Sequence, residues 1–187
     1  MRNSPLVGTR VLLSPIEPAD GPELWQVVDA SRDHLGQWLP WVPFNNTQVA
    51  SQRYAENCAS DWDAGRAIRF GVRDKNSRSL LGVVGLDNCV HVHRNCELGY
   101  WLSEHATGHG LMTEAAQLCI DFAFSEVLLH RIRCAAATDN VRSLAVIRRL
   151  GFQPEGIARQ AELVRARWLD HAVFSLLSTD ERPWQAV

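Results

Sequence analysis

Two glycines two residues apart, Gly108 and Gly110 in Thr107-Gly108-His109-Gly110, stand just before a run of helical periodicity. With no Cβ at either position, backbone N–H groups there can approach a ligand closely. From Met112 the apolar residues Ala115, Leu118, Cys119, Phe122 and Ala123 recur at three and four, which puts one apolar stripe on a helix. The open N-terminus of such a helix carries unpaired donors and partial positive charge, a combination that suits a phosphate or pyrophosphate. The alternative is a plain tight turn between strand and helix, and Gly-x-Gly alone does not decide between the two. Cys89, His91, His93 and Cys96 are zinc-ligand residue types close together. Their C-x-H-x-H-x-x-C spacing matches no common finger and Cys96 follows an expected turn, so no metal is expected. Cys134 could serve as the nucleophile of a ping-pong transfer. It lies in Arg131-Ile132-Arg133-Cys134-Ala135, which reads as sheet interior with nothing to lower the thiol pKa, so a core cysteine is expected.

The elements that must hold these residues follow from periodicity. Glu97-Leu98-Gly99-Tyr100-Trp101-Leu102 has the composition and length of a strand, and it leads through Ser103 to His105 into the glycine loop and the helix beyond. Upstream, Thr9 to Leu13 reads as a short strand closed by Ser14-Pro15, and Pro18-Ala19-Asp20 opens a helix carrying Leu24, Trp25, Val27 and Val28. His34 to Phe44 places Trp38, Trp41 and Phe44 between a glycine and prolines, so an ordered aromatic loop is expected. These rings either cap the core or form a lid over an acceptor pocket. Thr47 caps a second helix through about Ala64, with Val49, Tyr54, Ala55, Cys58 and Trp62 inward, and Gly65 ends it. Three strands follow, from Ala67 to Arg73, Leu80 to about Val92 and Glu97 to Leu102, with short turns that make an antiparallel meander. After the central helix, Arg131 to Ala137 is a strand parallel to its predecessor, because a helix joins them. A short helix from about Val141 to Leu150 stops at Gly151, and Phe152 to about Val164 with Trp168 to Leu177 forms a final hairpin.

At 187 residues and 46% apolar content the chain can bury a continuous core as one domain, 1–187. Nineteen basic against twenty-one acidic residues give a net charge of −2, so no global field draws in nucleic acid or anionic lipid. Cysteines 58, 89, 96, 119 and 134 are odd in number and form no C-x-x-C pair, which predicts reduced thiols and a cytoplasmic protein. The N-terminus shows no signal-peptide core, and no run nears the roughly 18 apolar residues of a membrane span.

The stretch from Glu97 to Phe124, with RIRCAAATDNVRSLAVIRRLGFQPEGIARQAEL after it, resembles the GNAT acyltransferase family, and within it the RimJ/RimL branch of ribosomal-protein N-terminal acetyltransferases. The resemblance covers about Thr9 to Ser178 and includes the LGQWLPW loop, the Asp-Asn-x-x-Ser turn and the Gly-Phe pair. It implies an α/β (α+β) fold in which a mixed, mostly antiparallel twisted sheet is flanked by helices on both faces. A splayed parallel strand pair within it would hold acyl-CoA. The amides of Thr107, Gly108, His109, Gly110, Leu111 and Met112 would cradle the pyrophosphate of acetyl-CoA, Tyr100, Trp101 and Leu102 would pair with the pantetheine amides, and Asn140 would bond the pantetheine arm. One position departs: the branch commonly reads Gln-Gly-x-Gly-x-Ala here, and Met112 stands at the small residue.

The implied chemistry is direct attack of an amine on the thioester, with no covalent enzyme intermediate and no metal. An α-amine of pKa about 8 needs only a modest base. Glu162, in Gln160-Ala161-Glu162-Leu163, matches the proposed base and Ser143 the proposed general acid, while an N–H near Tyr100 to Leu102 would meet the oxyanion. Each also has a plainer reading: Ser143 as a helix-start residue, Glu162 as a surface carboxylate. Trp38, Trp41 and Glu97 fall to the acceptor side, although Glu97 reads equally as a salt-bridge partner. The preferred acceptor is a protein N-terminus such as Ser or Ala of a ribosomal protein. The alternatives are a small amine or aminoacyl nucleotide stacked on Trp38 and Trp41, or a CoA-binding interaction module without turnover. The strands near Leu163 to Leu177 and the aromatic loop suggest a homodimer.

Overall fold

Apolar and polar residues alternate along Ile68-Arg69-Phe70-Gly71-Val72-Arg73, and the backbone there is a strand with its apolar set buried. In the computed structural model, which describes residues 4–185, the same logic recurs in eight strands. They are β1 (Leu6–Val7), β2 (Val11–Pro15), β3 (Ile68–Asp74), β4 (Leu80–Val90), β5 (Asn95–Leu102), β6 (Arg131–Ala137), β7 (Gln153–Val164) and β8 (Arg167–Leu177). One sheet results, in the order β1-β2-β3-β4-β5-β6-β8-β7. Every neighbouring pair is antiparallel except β5 and β6. The ends of the expected 1–187 domain lie outside the described residues.

Helices cover both faces. On one lie α1 (Gly21–Ala30) and α3 (Gln48–Asp63), whose Leu24, Ala55 and Cys58 pack with Leu80 and Val83 of β4. On the other lie α4 (Leu111–Ser125) and α5 (Val141–Arg149), which bury Ala115, Cys119, Ala123 and Ile147 against Val84, Leu86, Leu98 and Ile132. Thr47 caps α3 as expected, its hydroxyl accepting the Ala50 N–H at 3.1 Å. Among the described residues no helix is long and apolar enough to cross a membrane.

Several expectations need correction. Strand β1 was not foreseen, since two residues carry no periodicity, and β2 runs to Pro15. β4 stops at Val90, where one 3-10 turn, His91–His93, closes the hairpin, so β5 starts at Asn95. The aromatic stretch contains a helical turn, α2 (Arg32–Leu35), fastened because the Arg32 guanidinium donates to the carbonyls of Val42 and Asn45 at 3.1 Å each. Val49, expected inward, is 68% exposed: it falls in the first turn of α3, beyond the reach of the sheet.

Helix α5 carries Asn140 and Ser143 at its N-terminal end and is anchored by Leu144 and the fully buried Ile147. Ile147→Ala is expected to destabilise the protein by about 2–5 kcal/mol, read as a lower midpoint in urea denaturation.

Candidate functional site

The parallel pairing of β5 with β6 covers only Asn95 to Glu97, opposite Arg131 to Arg133. β6 then continues to Ala137 along β8, while β5 continues to Leu102 along β4. Between Leu98–Leu102 and Cys134–Ala137 the strands part, and the β5 edge facing the gap has no strand partner. This is the splayed pair that the family resemblance implied. Extended backbone donors and acceptors left open in this way can take an extended ligand as an added strand.

One side of the gap leads to the glycine loop. Gly108 has φ +83° and Gly110 φ +75°, left-handed conformations that glycine adopts without strain. Gly110 is the N-cap of α4 and no side chain caps that helix. Among the described residues no hydrogen bond satisfies the N–H groups of Gly108 through Thr113. A row of open donors therefore meets the positive end of a helix dipole. The departure at Met112 is harmless to this arrangement: its side chain turns into the core at 6% exposure, and its N–H stays with the loop.

Arg10 shapes the loop from the far end of the chain. Its guanidinium donates to the His109 carbonyl at 2.8 Å and to Glu114 Oε2 at 2.9 Å, and its N–H reaches Glu114 Oε1 at 2.7 Å. Burial works to raise the Glu114 carboxyl, but the N–H groups of Arg10 and Val11 and the Arg10 side chain hold it below its ordinary value. Arg142 and Arg149, seven residues apart on one face of α5, donate to the hydroxyls of Thr107 at 3.4 Å and Thr113 at 3.2 Å. Three guanidinium groups thus stand around the open donors.

A cleft of about 1390 Å³ joins these parts. Its walls include Trp38, Tyr100, Trp101, Leu102, Thr107, Gly108, Gly110, Leu111, Met112, Asn140 and Ser143, all of them singled out in the sequence. His109 contributes through its carbonyl contact with Arg10 rather than as a wall. Across the mouth of the gap the Tyr100 hydroxyl donates to the Ser143 carbonyl at 3.1 Å and shares a 2.9 Å hydrogen bond with Ser143 Oγ. Burial pushes the Tyr100 phenol well above its ordinary pKa, which keeps it protonated and a donor at neutral pH. Asn140 Oδ1 caps α5 by accepting the Ser143 N–H at 3.1 Å, so its amide nitrogen remains to donate.

A second cavity, about 630 Å³, meets the cleft at Leu39, Tyr100 and Trp101 and contains Trp41. Neither Glu97 nor Glu162 lines either cavity. Glu97 is paired with Arg133 at 2.8 Å and accepts from Asn88, so its carboxylate serves the sheet. Glu162 lies opposite Leu169, and antiparallel partners share a face. That face holds Trp38 packed on Ala137, Val164 and Leu169, which puts Glu162 on the side of the sheet where the two cavities meet. His171 Nε2 stands 3.5 Å from Glu162 Oε2.

The remaining candidates resolve simply. Cys134 is buried, and burial pushes its thiol up to about 12. His91 Nε2 lies 2.7 Å from the Gly65 carbonyl, and among the described residues no group of three or more His, Cys, Asp or Glu side chains could hold a metal ion. Sequence reasoning missed Arg10, Glu114, Arg142 and Arg149. Helical spacing signals the last two; nothing local signals a partner 104 residues from Glu114.

Comparisons agree with this geometry. The family model described as an acetyltransferase (GNAT) domain matches residues 10–153. The chain is 32% identical over 181 residues to the Bacillus subtilis (strain 168) protein named "Putative ribosomal N-acetyltransferase YdaF", covering 96% of each. It is 29% identical over 174 residues to the Escherichia coli (strain K12) [ribosomal protein uS5]-alanine N-acetyltransferase, covering 86% of each. Among solved structures, a RimL ribosomal L7/L12 α-N-protein acetyltransferase in complex with coenzyme A superposes with a TM-score of 0.88 at 23% identity, over 93% of this chain and 98% of that one, a likeness of fold.

Burial raises the Glu162 carboxyl above its ordinary value, with His171 partly opposing it. The folded state then holds the proton more tightly than the unfolded chain, so stability falls as pH rises from the ordinary carboxylate pKa through the raised one. Glu162→Gln is expected to raise the thermal midpoint at pH 8 by no more than about 2 °C, the carboxylate being partly solvated, and to leave it unchanged near pH 4. Thermal scans at the two pH values check the sign.

Proposed function

The chain belongs to the GNAT acetyltransferase family, and from that premise we propose that it moves the acetyl group of acetyl-CoA to the N-terminal α-amine of a protein, a ribosomal protein being the preferred class. The observation that carries the reading is the parting of β5 from β6 beside the open amides of Gly108 to Thr113. In this reading the pyrophosphate lies on those amides with Arg142 and Arg149 beside it, and the pantetheine runs along the free edge of β5. Tyr100, Trp101 and Leu102 flank the arm, and Asn140 donates to it. Residues 1–187 act as one catalytic domain with its core over about 9–178.

Attack then proceeds at the top of the gap. Glu162 takes the proton of the incoming ammonium through water, and the neutral amine attacks the thioester carbonyl. A β5 N–H stabilises the oxyanion, and collapse expels the CoA thiolate. Ser143 gives that sulfur a proton and regains one that the attacking nitrogen sheds as the amide forms, its hydroxyl being oriented by the Tyr100 phenol. Trp38 and Trp41 close the acceptor side. Glu97 acts here only by fixing Arg133 and the end of the parallel pairing. A homodimer through the exposed edge strand β7 belongs to the same reading.

Calorimetric titration with acetyl-CoA, CoA and dephospho-CoA, followed by assays on Ser- and Ala-initiated peptides, tests the proposal. Binding is expected for the wild type and for Ser143→Ala and Glu162→Gln alike, with kcat lowered roughly a hundredfold in each variant. Binding without transfer to any amine would make the chain a CoA-binding module instead.

A further inference from the structure

On the face that carries α1 and α3, β5 presents Trp101, Gly99 and Glu97, and β4 presents Val83, Gly85 and Asp87 opposite them. The middle rung, Gly85 against Gly99, has no side chain on either strand. A hollow opens above it, and this is the floor of the 630 Å³ cavity. Its walls are mainly apolar, with Leu24 and Val28 from α1, Leu39, Trp41 and Phe44 from the aromatic stretch, and Trp101, while Asn45 and Asn88 add uncharged polar atoms. Trp41 and Trp101 stand with ring centroids 6.0 Å apart, and Phe44 is 81% exposed at the rim.

The charges of this cavity are already spent. Only Arg69 and Asp87 among its lining residues are charged, and they pair with each other, Nε to Oδ1 at 2.7 Å. Arg69 also pairs with Asp61 at 2.8 Å, and Asp61 with Arg66 at 2.9 Å. Arg69 holds Asp87 Oδ1 and leaves Oδ2 toward Gly99, so a polyamine would meet one carboxylate already neutralised by a guanidinium, and a nucleotide phosphate no unpaired guanidinium. Apart from Asp87 Oδ2 at the floor, water above the two glycines and between the indoles has few partners, so an apolar group that displaces it from the upper walls gains free energy.

We infer that this cavity receives a neutral, bulky apolar side chain, aromatic or branched aliphatic, carried on the first or second residue of the acceptor. The inference rests on the reading of the acceptor as an amine delivered where the two cavities meet. It adds a selection rule to that reading: the residue beside the reacting amine must fill the Gly85–Gly99 hollow.

The test compares kcat/KM for Ala-Ser-Gly-Ser, Ala-Phe-Gly-Ser and Phe-Ser-Gly-Ser, and for the amides of alanine and phenylalanine, in the wild type and in Gly99→Val. A Cβ on Gly99 would meet only Asp87 Oδ2, at 3.3 Å, so the variant fills the hollow from an accommodating site; Gly99→Ala is a milder second variant. At least one phenylalanine peptide is expected to exceed the Ala-Ser peptide by about tenfold, and the ratio to fall toward one in Gly99→Val. Ratios within about threefold in the wild type, or an advantage that survives Gly99→Val, overturn the inference. Transfer to the amino-acid amides but to no peptide overturns the protein N-terminus reading alone, and the phenylalanine-to-alanine amide ratio then decides the cavity. Absence of transfer to every acceptor removes both.

Discussion

The ending of the parallel ladder at Glu97 and Arg133 is the constraint on which the rest of the structure depends. Two adjacent strands that diverge leave backbone groups that water or a ligand must satisfy. The sheet makes this tolerable by giving each strand another neighbour, β4 for β5 and β8 for β6, so each stays fixed while their shared edge opens. The Arg133–Glu97 ion pair, on the last paired rung, closes the ladder just where the gap begins. Half-exposed pairs of this kind contribute little to stability. Their value here is positional, because the splay starts at a defined residue and the atoms on either side of it keep a fixed separation.

Around that opening the chain arranges charge by sign. The glycine-loop side collects Arg10, Arg142 and Arg149 with the N-terminus of α4, and the smaller cavity holds a neutralised pair and aromatic rings. In a molecule of net charge −2, any attraction for an anion there comes from local geometry, not from a global field. The Tyr100–Ser143 hydrogen bond spans the boundary between the two halves and ties β5 to the first turn of α5.

Much of this was legible in the residues. The 3.6-residue stripe after Met112, the Thr47 cap and the helix between Leu102 and Arg131 sufficed for α4, α3 and the parallel pair, because each depends on neighbours in sequence. The resemblance supplied Asn140, Ser143 and Glu162. What stayed hidden depends on tertiary placement. Alternation marks Tyr100 as inward but not as reaching Ser143, 43 residues away. Glycine in a strand signals close approach or a bulge, yet only register puts Gly85 against Gly99. Val49 misled because its apolar period continues into a turn that no longer faces the sheet.

Arg10 sits near the start of the chain, and its partners His109 and Glu114 lie beyond its middle. Ordering contacts so distant requires closing a long loop first, which delays them relative to local helices and hairpins. The Arg10 guanidinium fastens the glycine loop at the His109 carbonyl. By contact order the loop's completion comes after that of α4, once β2 has docked. On the proposed reading, competence to hold acetyl-CoA would then follow the docking of β2 rather than the winding of α4.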